Sequence, residues 1–176
     1  MSTSNPSSCR SAQPAFFVVA VPKLIVMTLL TSGLYWFFWS FRNWDLYRDA
    51  CGAKIMLLPR IVVPELFLYS LLHRVDRRIR TSGRSYGWSP WWLAFGVLLM
   101  MISGHFLWIV MLPLPEFAPS VLATLVMFHV FQGRIQRAIN FCEGDPEGAG
   151  NARLTLGNWL WISLITLGWL VLGALP

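Results

Sequence analysis

Apolar residues in this chain run in long blocks, and the polar positions between those blocks set its expected outline. The first block, LIVMTLLTSGLYWFFWSF at residues 24–41, is flanked by Lys23 and Arg42. A second, IMLLPRIVVPELFLYSLLH at 55–73, is long enough to cross a bilayer but contains Arg60, Pro64 and Glu65. The third opens on Ser89 as an N-cap and Pro90 as the first helical residue, and stays apolar to Leu112. The short PLPEFAP stretch then turns the chain into SVLATLVMFHVF, so the two runs predict a helical hairpin. A Gly-, Pro- and acid-containing loop leads to the last block, at 158–176. A hydrocarbon core of about 30 Å needs roughly 20 apolar residues of helix. The pattern therefore predicts an all-α, polytopic membrane bundle of four transmembrane helices. Segment 55–73 is left as interfacial, re-entrant or spanning, residues 1–22 as a polar flexible tail, and 23–176 as one membrane-embedded domain.

Composition supports a membrane solvent. Of 176 residues, 56% are hydrophobic and only 12% charged, against about 25% charged in soluble domains. The net charge of +6 does not point to nucleic acid, because the aromatics lie in the apolar blocks and are not interleaved with basic residues. Five arginines, Arg74, Arg77, Arg78, Arg80 and Arg84, follow the second block, and Arg134, Arg137 and Arg153 flank the last loop. The turn at 113–117 has no basic residue. The positive-inside bias thus places both basic loops on the cytoplasmic side, where the five arginines are expected to contact anionic headgroups. Trp36, Trp39, Trp44, Trp88, Trp91, Trp92, Trp159 and Trp161 are expected as an interfacial belt at that level. Two topologies follow. If 55–73 does not span, the N-terminus is outside with Arg10 and Lys23; if it spans, Arg42, Arg48 and Lys54 lie outside.

Candidate chemistry is sparse. Cys9, Cys51 and Cys142 are far apart and suggest neither disulfide nor metal, and the N-terminal stretch lacks the features of a cleaved signal peptide. His105 and His129 on the hairpin, and Arg60 and Glu65 on the second block, are the intramembrane polar candidates, since ionisable groups in lipid are costly. A neutral histidine donating to a neighbouring backbone carbonyl is a sufficient structural explanation for either histidine. Thr31 and Gly33 in the first block, Thr166 and Gly168 in the last, and Gly96, Ser103 and Gly104 in the third are small enough for close helix packing. Asp45 and Asp49 read as solvated charges beside Arg48. No D-x-x-D, H-E-x-x-H or G-x-S-x-G pattern occurs, so no catalytic residue, metal or cofactor is assigned.

Several stretches resemble a family. MTLLTSGLYWFFWSFRNW, with Thr31, Gly33, Tyr35, Trp39, Arg42, Asn43 and Trp44, is similar to the first helix of small bacterial membrane proteins related to the DUF4234 family. PRIVVPELFLYSLL, IQRAIN with Gln136 and Asn140, and LTLGNWLW extend the resemblance over most of the chain. It implies a multi-pass protein of the bacterial inner membrane and implies no activity. The expected function is non-enzymatic association with anionic lipid or with a membrane partner, either another protein or a second copy. The alternatives are a small transporter or channel component using His105 and His129, and an interfacial lipid-modifying enzyme using His73, Glu65 and the arginines.

Overall fold

The structure, a computed structural model, describes residues 14–106 and 118–174. Seven α-helices occur among them: α1 Val21–Leu30, α2 Leu34–Cys51, α3 Leu57–Val62, α4 Pro64–Thr81, α5 Pro90–Phe106, α6 Ala118–Glu143 and α7 Leu156–Ala174. A short 3-10 turn, Ala149–Asn151, interrupts the loop before α7. Helices α4, α5 and α6 pack in sequence, with α1 and α2 against them.

The expected four spans are corrected by these boundaries. Among the described residues, α7 alone is long and apolar enough to cross a membrane. The first block breaks after ten helical residues, about 15 Å of helix and half a hydrocarbon core. Thr31 leaves helical geometry, and Ser32 and Gly33 take positive φ of 51° and 86°. At Gly33 that conformation suits a residue without Cβ, and no atom of the described residues lies within 4 Å of where a Cβ would be. Gly33 is therefore a turn residue, not the helix-packing contact expected of it. Thr31 is buried and caps the break, donating to Met27 O and accepting from Tyr35 N–H.

The second block divides at Val63 and Pro64 into α3 and α4. Proline disfavours helical geometry in the residue before it, and Val63 sits at φ −129°, ψ 64°. Helix α4 then buries Leu68, Leu71, Leu72, Val75 and Ile79, one face at helical spacing. Segment 55–73 thus packs as an amphipathic helix behind a short one. The third block is helical from Pro90 to Phe106, and its expected continuation to Leu112 lies outside the described residues. Helix α5 buries Leu93, Ala94 and Val97. It crosses α6 closely at Gly96, where a Cβ would meet the Phe131 ring at 2.6 Å.

The core is built around a stretch that is not helical. Residues 14–20 run extended between α2 and α6, with Ala15, Phe16 and Val19 at most 1% exposed. Phe16 stacks on Tyr47 with ring centroids 5.8 Å apart. An extended segment with no neighbouring strand leaves its amides and carbonyls unpaired, which is costly in a core. Side chains supply the partners. Asn140 accepts from Val19 N–H (3.3 Å) and donates back to Val19 O (3.0 Å), pairing as a neighbouring strand would. Asn43 accepts from Phe17 N–H, Gln136 donates to Phe17 O, Asn151 donates to Val18 O, and Glu143 accepts from Ala15 N–H. The end of the stretch read as a tail is thus the centre of the fold.

Tryptophan burial follows the same plan. Trp36, Trp39 and Trp44 are at most 1% exposed, so they form core and not an interfacial belt. Trp36 and Trp39 stack at 4.5 Å, and Trp39 Nε1 donates to Gln136 Oε1 at 2.6 Å. Lys23, at the flank of the first block, is 6% exposed and donates to Asn151 Oδ1 and Arg153 O, both at 2.7 Å. Gly148 seals the loop over the extended segment: its φ is +67°, and a Cβ would lie 2.5 Å from Ala20 N.

Asn140→Ala is expected to strand Val19 N–H, Val19 O and one of the two Gln136 Nε2 hydrogens, at a cost of about 2–4 kcal/mol. Asn158→Ala, which loses only the solvent-exposed bonds that Asn158 Oδ1 accepts from Thr155 at the start of α7, serves as the comparison. Melting followed by circular dichroism in detergent should show a large loss for the first variant and a small one for the second. Equal, small losses would contradict the pairing.

Candidate functional site

Of the five arginines expected at headgroups, four have partners inside the chain. Arg78 Nε lies 3.5 Å from Glu143 Oε1, and Arg80 pairs with Asp76 at 2.7 Å. Arg84 donates to the carbonyls of Phe141 (2.9 Å) and Cys142 (2.7 Å), capping the end of α6 where unpaired carbonyls favour a cation. Arg77 is exposed and lines a cleft of about 550 Å³ between α4 and α5, with Tyr69, His73, Asp76 and Arg80. Arg74 turns inward and donates to Tyr47 Oη at 2.7 Å.

Arg74 meets Arg60 at Trp44. The Arg60 guanidinium lies 4.8 Å from the Trp44 ring centre and 4.9 Å from that of Phe67. Arg74 lies 5.7 Å from Trp44 and 4.8 Å from Tyr47. Burial, and after it the positive charge of Arg74, pulls Arg60 below the usual arginine range. The Nε atoms of both residues are buried without a hydrogen-bond partner.

Helix α1 and the upper part of α6 border a second groove, of about 620 Å³. Leu122, Leu125, Val126 and Val130 line it, with Arg134 and Arg137 at one end. His129 also faces it, and its ring is held in place. Gln132 Nε2 donates to Thr28 Oγ1, which orients the amide so that its Oε1 accepts from His129 Nδ1 at 2.9 Å. The side chain of His105 lies outside the described residues, so the expected histidine pair has one described member.

The residues of the enzyme alternative are not brought together. Glu65 accepts from Trp36 Nε1 at 3.0 Å, His73 lines the α4/α5 cleft beside Tyr69, and Arg60 packs on Trp44. No group of three His, Cys, Asp or Glu suited to a metal occurs among the described residues. The Cys142 thiol is pushed up to about 12, chiefly by burial and then by Glu143, which leaves it a poor nucleophile. Cys51 is disulfide-bonded, a linkage its wide spacing from the other cysteines did not suggest. Thr166 and Gly168 are exposed on α7, and no neighbour lies within 4 Å of a Cβ at Gly168. Among the described residues they make no helix contact of the expected kind.

Sequence reasoning took Gln136 and Asn140 only as parts of a motif and gave no role to Gln132. Their spacing carries the missed signal: positions 132, 136 and 140 are amides four residues apart on a helix whose neighbouring positions Ile135, Ala138 and Ile139 are apolar and buried. No family model matches the chain, and neither a curated protein nor a solved structure matches it.

Two acids anchor the loop that closes this region. Asp145 accepts from Ala149 and Gly150 N–H, both at 2.9 Å, and these bonds hold its carboxyl below the usual range. Glu143 behaves oppositely. Burial raises its carboxyl above the ordinary 4.5, although Arg78, the Ala15 N–H and Arg84 pull it back. A raised native value means that the folded chain holds the proton more tightly than the unfolded chain. The Glu143 contribution is therefore fully present below about pH 4.5 and is lost as pH rises through the native value. Glu143→Gln keeps an acceptor for Ala15 N–H and removes the buried charge. Relative to wild type, its melting temperature should rise progressively between pH 4.5 and 7. A constant difference over that range would refute the assignment.

Proposed function

We propose that this chain is a non-enzymatic membrane protein that associates with anionic lipid. The observation that carries the reading is the outer surface of α7. Leu160, Leu164, Leu167, Trp169, Leu170, Val171 and Leu172 are each more than half exposed, and they cover every side of the helix. An apolar surface of that extent is not stable in water, where contiguous patches rarely exceed a few hundred Å². In lipid it costs nothing, and a 19-residue helix of about 28 Å matches the hydrocarbon thickness. Exposed Trp159 and Trp161 near its start suit the headgroup level, as do Trp91 and Trp92 at the start of α5.

Exposed Phe95, Leu99 and Ile102 on α5, with Leu122, Val126 and Val130 on α6, extend the lipid-facing surface beyond α7. The anionic preference follows from the arginine excess, since a juxtamembrane arginine near an anionic leaflet contributes about 1 kcal/mol. The resemblance to the DUF4234-related proteins belongs to the same proposal and assigns the chain to a bacterial inner membrane.

Membranes from expressing cells should retain the protein through alkaline carbonate extraction. Lipid carried through purification in mild detergent should then be enriched severalfold in phosphatidylglycerol or cardiolipin over the bulk membrane. Release into the carbonate supernatant would refute the membrane reading. Retention with co-purified lipid of bulk composition would refute the anionic preference.

A further inference from the structure

We propose that Arg60 and Arg74 form a binding site for a phosphate-class oxyanion beside Trp44, and that the phosphodiester of an anionic lipid headgroup is its occupant. The choice of lipid rests on the membrane reading above; the oxyanion chemistry stands on the arginines themselves.

Two guanidiniums share one indole, on residues from three different helices: Trp44 on α2, Arg60 on α3 and Arg74 on α4. Like charges gathered in partly desolvated surroundings are costly unless a counter-charge balances them. Apart from Glu147, exposed on the loop before α7, the acids of the described residues are engaged elsewhere. Asp45 pairs with Arg42 and Arg48, Asp76 with Arg80, and Glu143 with Arg78. Asp49 pairs with Arg48, Asp145 holds its loop, and Glu65 accepts from Trp36. Among the described residues, no carboxylate forms an ion pair with Arg60 or Arg74 within 4.0 Å.

Aromatic faces offset only part of that charge. The hydrogen-bonding capacity of the pair is also unfilled. Arg60 donates to Met56 O and Arg74 to Tyr47 Oη, while both Nε atoms are buried without an acceptor. An oxyanion with several acceptor oxygens supplies the missing charge and accepts from the remaining terminal guanidinium nitrogens, and arginine is the side chain suited to such multiple contacts.

The apolar surface beside the pair selects the lipid source. Helix α3 and its flanks expose Met56 (73%), Leu58 (70%), Val62 (60%) and Leu66 (67%), next to Arg60 in sequence. A short apolar ridge beside a pair of cations fits an interface where acyl chains lie below phosphates. A free phosphate ion would use the arginines and leave the ridge without a role.

The test uses full-length protein in a zwitterionic detergent and follows thermal stabilisation by three probes: inorganic phosphate, short-chain phosphatidylglycerol and short-chain phosphatidylcholine. Saturable stabilisation by phosphatidylglycerol, weakened roughly tenfold or more in apparent affinity by Arg60→Gln with Arg74→Gln, is the expected result. Arg153→Gln, on the exposed loop before α7, should leave that affinity unchanged. If the double variant does not fold by circular dichroism, Arg60→Lys, which keeps charge but loses the planar fork, should still weaken binding. Stabilisation by phosphate alone, lost in the variants, would overturn the lipid source and retain the oxyanion site. Phosphatidylglycerol binding that the Arg60 and Arg74 variants leave intact would overturn the site while leaving lipid association standing. No stabilisation of wild type by phosphate or phosphatidylglycerol would also overturn the site, and carbonate extraction would still decide the membrane reading independently.

Discussion

An extended backbone cannot enter a helical core unless something replaces the strand it lacks. Here the replacement is a set of side-chain amides. Asn140 offers an acceptor and a donor to one residue, Val19, as a neighbouring peptide unit would. Gln136 joins this pair to the rest of the core: it donates to Asn140 Oδ1 (2.7 Å) and to Phe17 O, and accepts from Trp39 Nε1. Buried networks of this kind are favourable only when all their members are satisfied. The positions of α2, α6 and the closing loop follow from that requirement, because each contributes a partner to residues 14–20. Gly148 allows the loop to come close enough for Asn151 to reach Val18.

The molecule divides by solvent preference along α6. Its lower half, from Gln132 to Cys142, is buried among α1, α4 and the extended segment, and its upper half exposes Leu122, Leu125, Val126, Met127 and Val130. One helix thus carries the polar network at one end and a lipid-compatible surface at the other. Arg134 and Arg137 lie near the change between them, alongside the α1 groove. Helix α7 continues the apolar surface and returns little to the core, with Ile162 as its buried residue. The basic residues of α4 mostly stabilise the chain itself, and those left for outside partners are fewer than their number suggests. Arg60 and Arg74 differ because they face aromatic rings in place of acids.

Much of this was legible in the sequence, and the misses have physical causes. The all-helical class, the α5 start at Ser89 and Pro90, and the apolar character of α7 follow from periodicity and block length. The four-span count did not hold because block length ignores backbone punctuation. Ser32 and Gly33 reverse the chain within one apolar block, and Pro64 divides another. Tryptophans near Arg42 looked interfacial because their position in the sequence matched a headgroup level; Gln136 on α6 draws Trp39 inward instead, and Glu65 on α4 takes Trp36. The Trp44 site was half visible: Arg60 was a candidate as a buried charge and Arg74 as a surface one. Only folding places them on one ring, since no local spacing connects residues on α2, α3 and α4.

The central claim, that residues 14–20 are held in the core by side-chain amides, is tested most directly by hydrogen–deuterium exchange of the protein in phosphatidylglycerol-containing nanodiscs. The account predicts that the amides of Phe17 and Val19 exchange as slowly as those in the buried half of α6. Exchange of residues 14–20 at the rate of an unstructured peptide, with α6 still protected, would contradict it.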